Sequence, residues 1–298
     1  MTSKIKCPGG CNSQINLKFK SQNNINLDNL NVRCTADDHV KPNLFKCDNC
    51  NLIFSEFINS NFLEKYTKVV DEKYVEQSIY KEKYFINLFE QIKSEINNSG
   101  NVLEIGSYYG VFANVAQKQI KNFHSVELSE HARKYAKENF NIDMVGENPI
   151  EYLQKRNNYF DNILMFDVIE HLDNPLDLLE KINESLKENG KFIFTTFDMD
   201  SLLPKIMGKN YQWIMPMHKF YFSKKTLNYY LNKNNLRIYK TLYDGRNVSV
   251  DYLLYKSKIF FPKFKFFFNF LQKFEFINKR NVNINFLDLK IFFVEKIK

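Results

Sequence analysis

Between residues 101 and 197 the chain alternates short apolar runs with longer amphipathic stretches. Val102, Leu103 and Ile105 make the first run, and others follow at 123–128, 142–145, 160–166 and 191–197. Runs this short and this apolar predict strands buried on both faces. Apolar residues recur at helical spacing over 111–121, 130–139, 148–156 and 175–188. Asn174-Pro175 suits the start of the last helix, because Asn can cap and Pro fits the first turn. Asn189-Gly190 suits its stop. Upstream, Val75, Ile79, Phe85, Leu88, Phe89, Ile92 and Ile96 predict a helix from Tyr74 to Ile96. This rhythm predicts an α/β fold with a doubly wound parallel sheet. Right-handed crossovers would bring the loops after the strands to one edge, gathering Gly106, Glu127, Glu147 and Asp167 there.

The end of the chain departs from alternation. A helix is expected over 223–234, a strand over 236–243, a turn at Asp244-Gly245 and a terminal strand over 286–297. Between them lies an insertion, 247–285, containing the run Phe260 to Leu271. On a helical wheel from Phe264 most aromatics share one wide face, and Lys265, Asn269, Gln272 and Lys273 share the other. A basic, aromatic helix of this kind can contact a membrane interface, here through 258–278. A wide apolar face more often packs on its own domain or on a second subunit, and that packing is the expectation.

The most chemically informative stretch is Asn101 to Gly110. It predicts a strand running into a turn in which Gly106 and Gly110 let the backbone approach a ligand. The following helix offers free N–H groups to a carboxylate. Ser125-Val126-Glu127-Leu128 ends the next strand with an acid, where ribose hydroxyls would need an acceptor. The spacing is E-x-G-x-x-x-G rather than the dinucleotide G-x-G-x-x-G, and Glu104 suits a cationic ligand better than a pyrophosphate.

These residues, with Tyr159 to Leu172 as a third block, resemble the class I S-adenosylmethionine-dependent methyltransferases. The third block is closest to the branch that methylates sugars, quinones and other small molecules. The resemblance implies a Rossmann-like methyltransferase sheet whose last two strands pair antiparallel at one edge. It implies that Glu104, Gly106, Ser107 and Gly110 surround the methionine part of the cofactor. It further implies that Glu127 and Leu128 meet the ribose, Glu147 reaches the adenine, and Phe166 contacts the amine through its backbone.

Four of the five cysteines form two close pairs, Cys7 with Cys11 and Cys47 with Cys50. Two knuckles presenting four thiolates suit a closed, structural Zn²⁺ site. Metal would supply folding energy that about sixty residues of small core lack. Cys34 and His39 lie between the pairs as substitute ligands. The segment also resembles the N-terminal zinc-binding domain of certain sugar methyltransferases, although its first knuckle is one residue longer. The expected division is 1–60 zinc-binding domain, 61–100 linker and leading helix, 101–246 methyltransferase domain, 247–285 insertion and 286–298 terminal strand.

Methyl transfer to an oxygen gains from a base near the incoming hydroxyl. His171 is the first candidate, since it follows the fourth strand and imidazole titrates in the useful range. Asp167 and Glu170 are close enough in sequence to orient it. Asp167-x-x-Glu170-His171 also resembles the metal-binding E-x-x-E-H of small-RNA terminal methyltransferases. Aspartate replaces the first glutamate, and the D-x-x-E-H form occurs in metal-free relatives. The stretch Trp213 to Ser223 resembles the W…P-x-H-x-x-x-F-S segment that roofs the substrate pocket in the same branch. His218 could bind or deprotonate an acceptor there, and Ser223 could instead serve as a helix cap.

The formal net charge of +8 is mostly scattered lysine, so nucleic acid is not the expected partner. No run of 18 apolar residues occurs, and no basic start leads into an apolar segment. The expected protein is therefore cytoplasmic, with a contact at the inner membrane surface left open. Its expected acceptor is a small molecule, first a sugar or sugar nucleotide of surface-polysaccharide synthesis. A lipid-linked or quinone acceptor comes second, and an oligomer is left open. A non-catalytic methyltransferase-like binding module is the rival of a different class.

Overall fold

A computed structural model describes residues 5–21, 32–35, 40–58, 60, 62–260, 262–274 and 281–297. The N-terminal region contributes β1 (Ile15–Phe19), β2 (Leu44–Cys47) and β3 (Ile53–Ser55), an antiparallel meander. Three helices follow: α1 (Leu63–Thr67), α2 (Glu72–Glu76) and α3 (Ser78–Ile92). The single helix expected over 74–96 is thus broken near Gln77 and gives way to a 3₁₀ turn at Lys93–Glu95.

The alternating core runs β4 (Asn101–Ile105), α4 (Val111–Ala116), β5 (Asn122–Val126), α5 (Glu130–Phe140), α6 (Pro149–Gln154), β6 (Phe160–Phe166), α7 (Pro175–Ser185) and β7 (Leu186–Phe197). Then come α8 (Leu202–Met207), β8 (Phe220–Tyr221), α9 (Lys224–Lys233), β9 (Leu236–Tyr243) and β10 (Arg246–Ser249). The chain ends with α10 (Val250–Phe260), α11 (Lys265–Leu271), β11 (Asn281–Ile284) and β12 (Leu289–Lys296).

The main sheet has the order β5-β4-β6-β7-β12-β9. Strands β4 to β7 are mutually parallel, and β12 is antiparallel to both β7 and β9. This is the expected Rossmann-like methyltransferase sheet with its antiparallel last strand. Both faces are covered. Leu103, Ile163, Phe192, Phe194 and Phe292 belong to one buried cluster, while Val102, Leu164, Ile193, Ile291 and Phe293 belong to a second that includes α3 and α4. Alternate residues of each strand serve opposite faces, which is why the runs read as continuously apolar.

The strand expected at 142–145 shrinks to one bridge, Val126 to Val145. Asn141 is left-handed, and Val145 remains exposed. The expected helix end at Asn189-Gly190 falls inside β7, because the chain leaves the helix at Ser185 to bury Leu186.

Strand β3 also pairs with β8, so the cysteine-bearing sheet and the segment after β7 share main-chain hydrogen bonds. The hairpin β10–β11 frames α10 and α11. The aromatic face of this insertion, expected to pack on its own domain or on a second subunit, is covered by its own domain, among the described residues, only at Phe268 and Leu271, which are half-buried. Phe264, Phe266, Phe267, Phe270 and Phe274 are exposed, and α11 has no fully buried residue.

Candidate active site and cysteine cluster

The turn after β4 is built by conformation and crowding together. Gly106 and Gly110 have φ of 77° and 76°, where a side chain is strained. A Cβ on Gly106 would lie 2.5 Å from Val168, and one on Gly110 would lie 2.6 Å from Met144. Tyr108, between them, is also left-handed and buried. Glu104 and Ser107 are buried beside this turn. Glu104 Oε2 and Ser107 Oγ have no hydrogen-bond partner among the described residues. Burial pushes the Glu104 carboxyl up to about 8, with the nearby Ser107 hydroxyl opposing the shift and the Glu127 charge adding to it. An acceptor buried without a partner is costly, so the pair suits a cationic, hydrogen-donating ligand.

Glu127 directly follows β5 and is buried. Its Oε2 accepts from Tyr108 N–H at 2.7 Å and its Oε1 from Ser129 N–H at 2.7 Å. Burial raises its pKa, and hydrogen bonds from these backbone groups and from Tyr66 offset part of the rise. Leu128 is half-buried, and its carbonyl accepts from Arg133. Glu147 is ion-paired with Lys155. Phe166 packs its ring on Phe112, at 4.7 Å between centroids.

Sequence reasoning missed Asp71, which binds this turn to the rest of the molecule. It is fully buried. Its carboxylate accepts from Tyr108 Oη at 3.0 Å, Thr35 N–H at 3.1 Å, Tyr74 N–H at 3.2 Å and the Thr35 hydroxyl. Its own N–H donates to Tyr109 Oη at 2.9 Å. The available signal was an Asp just before a helical start, a capping pattern.

At the end of β6, Asp167 takes a left-handed φ of 54°. Thr195 on β7 fixes this corner: its hydroxyl accepts from Asp167 N–H at 2.9 Å and donates to Asp167 Oδ1 at 2.8 Å. Glu170 is buried and accepts from the Thr196 hydroxyl at 3.1 Å. His171 Nδ1 lies 3.2 Å from the Met217 carbonyl oxygen. A carbonyl can only accept, so Nδ1 carries the proton and Nε2 keeps its lone pair. Burial lowers the His171 pKa against smaller raising effects from Met217 and Asp167, so the ring is neutral at pH 7.

His218 is buried edge-on to His171, 4.6 Å between centroids. Ligand atoms of Glu170, His171 and His218 lie within 4.8 Å of one another. Two imidazoles and a carboxylate suit either proton transfer or a divalent ion. Glu170 and His218 line a cavity of about 10 Å³ with Phe197, Tyr211 and Trp213. Trp213 stacks on Phe197 at 4.7 Å. Ser223 caps α9 by accepting from Thr226 N–H, the structural alternative foreseen for it.

Cys7, Cys11, Cys47 and Cys50 bring their sulfurs within 4.8 Å of one another, with Cys7 and Cys50 at 3.6 Å. A tetrahedron with metal–sulfur bonds of about 2.3 Å has sulfur–sulfur edges of about 3.8 Å, so the set fits Zn²⁺. Donating its S–H to Cys7, and then burial, pushes the Cys50 thiol up to about 12. Tyr230 on α9 donates to Cys50 Sγ at 2.9 Å. Cys34 lies outside the cluster and is exposed, and His39 lies outside the described residues.

Comparison with known proteins agrees with this geometry. Residues 78–241, more than half of the chain, match the methyltransferase-domain family. An uncharacterized protein of Methanocaldococcus jannaschii is 28% identical over 198 residues, covering 66% of this chain and 87% of that protein. The mitochondrial ubiquinone biosynthesis O-methyltransferase of Schizosaccharomyces pombe is 24% identical over 132 residues, covering 41% of this chain and 48% of that enzyme. In fold, an S-adenosylmethionine-dependent methyltransferase from Archaeoglobus fulgidus superposes with a TM-score of 0.53 at 17% identity, covering 76% of this chain and 100% of that one. The chain belongs to the methyltransferase-domain family and is a class I S-adenosylmethionine-dependent methyltransferase.

Proposed function

We propose that this methyltransferase acts on a hydroxyl of a sugar or sugar nucleotide used in surface-polysaccharide synthesis. The observation that carries the hydroxyl assignment is the Glu170–His171–His218 cluster after β6, with His171 Nε2 free to take a proton. The sugar assignment draws support from the two cysteine pairs that precede the catalytic sheet, as in sugar methyltransferases. The O-methyltransferase relative in ubiquinone biosynthesis keeps a quinone or lipid-linked acceptor as a second reading, which the exposed aromatic helix favours. The direct test is transfer of isotopically labelled methyl to a panel of nucleotide sugars and polyprenyl-linked sugars. Cofactor binding with no turnover on either set would favour the binding-module alternative.

When bound, S-adenosylmethionine supplies a methyl group on a sulfonium that leaves as a neutral thioether. The chain's task is to align donor and acceptor, worth up to about 7–11 kcal/mol in favourable cases. Glu104, Gly106, Ser107 and Gly110 hold the methionine end, where Glu104 Oε2 and Ser107 Oγ await donors. Phe166 contributes its backbone to the amine. Glu127 and Leu128 hold the ribose: the Tyr108 and Ser129 N–H groups orient the Glu127 carboxylate, and a ribose hydroxyl takes the place of the Tyr66 hydrogen bond on it. Glu147 reaches the adenine after exchanging its Lys155 partner. Asp167 orients the loop through Thr195, His171 accepts the acceptor's proton, and His218 binds the acceptor beside it.

Replacing Glu127 with alanine is expected to weaken S-adenosylmethionine binding by about 1–3 kcal/mol, through loss of the ribose acceptor. Calorimetry on wild type and variant reads this directly, and unchanged affinity would remove Glu127 from the site.

Zn²⁺ is proposed at Cys7, Cys11, Cys47 and Cys50, one ion per chain, as a structural metal. Elemental analysis should find it absent from Cys47→Ser and retained in Cys34→Ser. Equal loss from both would refute this ligand set. A metal retained by Cys47→Ser but lost from His218→Ala would instead place an ion in the Glu170–His171–His218 cluster.

A further inference from the structure

We infer that α11 and its flanking turns form a docking surface for anionic lipid bilayers, independent of the catalytic sheet. At about 100° per residue, the described residues around α11 divide into three stripes. Phe268, Leu271 and Gln272 form the half-buried stripe. Gln272 fixes this side on α10, donating to Asp251 Oδ1 at 2.7 Å and pairing with Lys258. Lys265, Asn269 and Lys273 form a polar stripe. Phe266, Phe267, Phe270 and Phe274 form the third, and all four are exposed, Phe266 at 88%. The helix thus has more apolar surface than its own fold uses. Leaving so many phenyl rings of one short helix in water is unfavourable.

Charge identifies what covers this stripe. Between Tyr252 and Phe274 the sequence has five lysines, at 256, 258, 263, 265 and 273, and no Asp or Glu. Lys263, Lys265 and Lys273 are exposed. A second protein surface would need matching acids, whereas an anionic lipid headgroup layer is negative over its whole area and apolar just beneath. Phenyl rings in the upper acyl region with lysines at headgroup level is how an interfacial helix binds. No helix among the described residues is long and apolar enough to cross a membrane, so contact would be at the surface. The anchor would favour acceptors presented on lipid carriers.

The test uses the full-length protein and flotation with phosphatidylcholine vesicles, with or without phosphatidylglycerol. Wild type should float with the anionic vesicles only, and added salt should weaken binding as screening predicts. Phe266→Ser/Phe267→Ser/Phe270→Ser should lower vesicle affinity at least about tenfold. Lys263→Gln/Lys265→Gln/Lys273→Gln should remove the preference for anionic lipid. S-adenosylmethionine affinity, measured by calorimetry, should be unchanged in both variants, which separates this proposal from the catalytic reading. A Phe266→Trp variant, folded or not impaired by lost apolar area, should shift its emission to the blue on anionic vesicles. The proposal fails if wild type floats with neither vesicle, or if the aromatic variant floats like wild type. It also fails if size-exclusion with light scattering shows a dimer that the aromatic variant abolishes, since a second copy would then cover the stripe.

Discussion

Replacing His171 with alanine is expected to lower turnover by about 10²–10⁴-fold while leaving S-adenosylmethionine affinity nearly unchanged. That range corresponds to about 2.7–5.5 kcal/mol of lost transition-state stabilisation. The expectation rests on the tautomer: Nδ1 donates to the Met217 carbonyl, so Nε2 alone can receive a proton. Burial lowers the ring's pKa below its usual 6.5. The wild-type rate should therefore be flat above that pH and fall below it as the ring protonates. In His171→Ala this acidic limb should disappear along with most of the rate. His171→Gln retains a polar group near Met217 but no base, so it should be folded and equally slow. Stopped-flow turnover with calorimetric cofactor affinity, both across pH, decides the matter. If affinity and melting temperature fall with the rate, His171 is a structural residue, and the proton must go elsewhere.

What the sequence made legible follows from where the physics is local. Burial on both faces makes β4, β6 and β7 continuous apolar runs, so the strands could be read from the apolar pattern and their parallel sense from the helices between them. The positions of Gly106 and Gly110 were readable because only glycine relieves both their positive φ and the crowding from Val168 and Met144. The gathering of four cysteines was readable because two close pairs of thiols, each at knuckle spacing, are the pattern that a single closed site needs. What escaped is pairing across long separations. Nothing around Asp71 announces that it will accept from Tyr108, 37 positions away. Nothing around Tyr230 announces a bond to Cys50, 180 positions away. The break near Gln77 escaped because the apolar recurrence continues through it, while Asp71 starts a separate capped turn. The exposed aromatic stripe of α11 escaped for the opposite reason. Its periodicity was visible, but a wheel cannot say whether the second apolar face has a partner.

Affinity for S-adenosylmethionine should rise with pH, about tenfold between pH 6 and 7 and less steeply from there to pH 8, because Glu104 must ionise to meet a cationic ligand. Burial holds its carboxyl at about 8 in the free protein, against an ordinary 4.5. At pH 6 about 1% of molecules would then carry the carboxylate, so apparent affinity is about 100-fold below its plateau. The same shift has a consequence for stability without the cofactor. A carboxyl whose pKa is raised by folding stabilises the folded state fully below about 4.5, and that contribution is lost as pH rises through about 8. The free protein should accordingly lose melting temperature over that window and recover it when S-adenosylmethionine is added. Glu104→Gln separates the residue from the ligand, whose own α-amino group titrates near pH 8 and weakens binding from there upward. The variant keeps the ligand's contribution and loses the rise between pH 6 and 8. Calorimetry in buffers of differing ionisation enthalpy should count close to one proton released per cofactor bound at pH 6.5 by wild type and none by Glu104→Gln. An affinity that is level between pH 6 and 8 in wild type would mean that Glu104 is already ionised, and that the cofactor's cation finds its counter-charge at another residue.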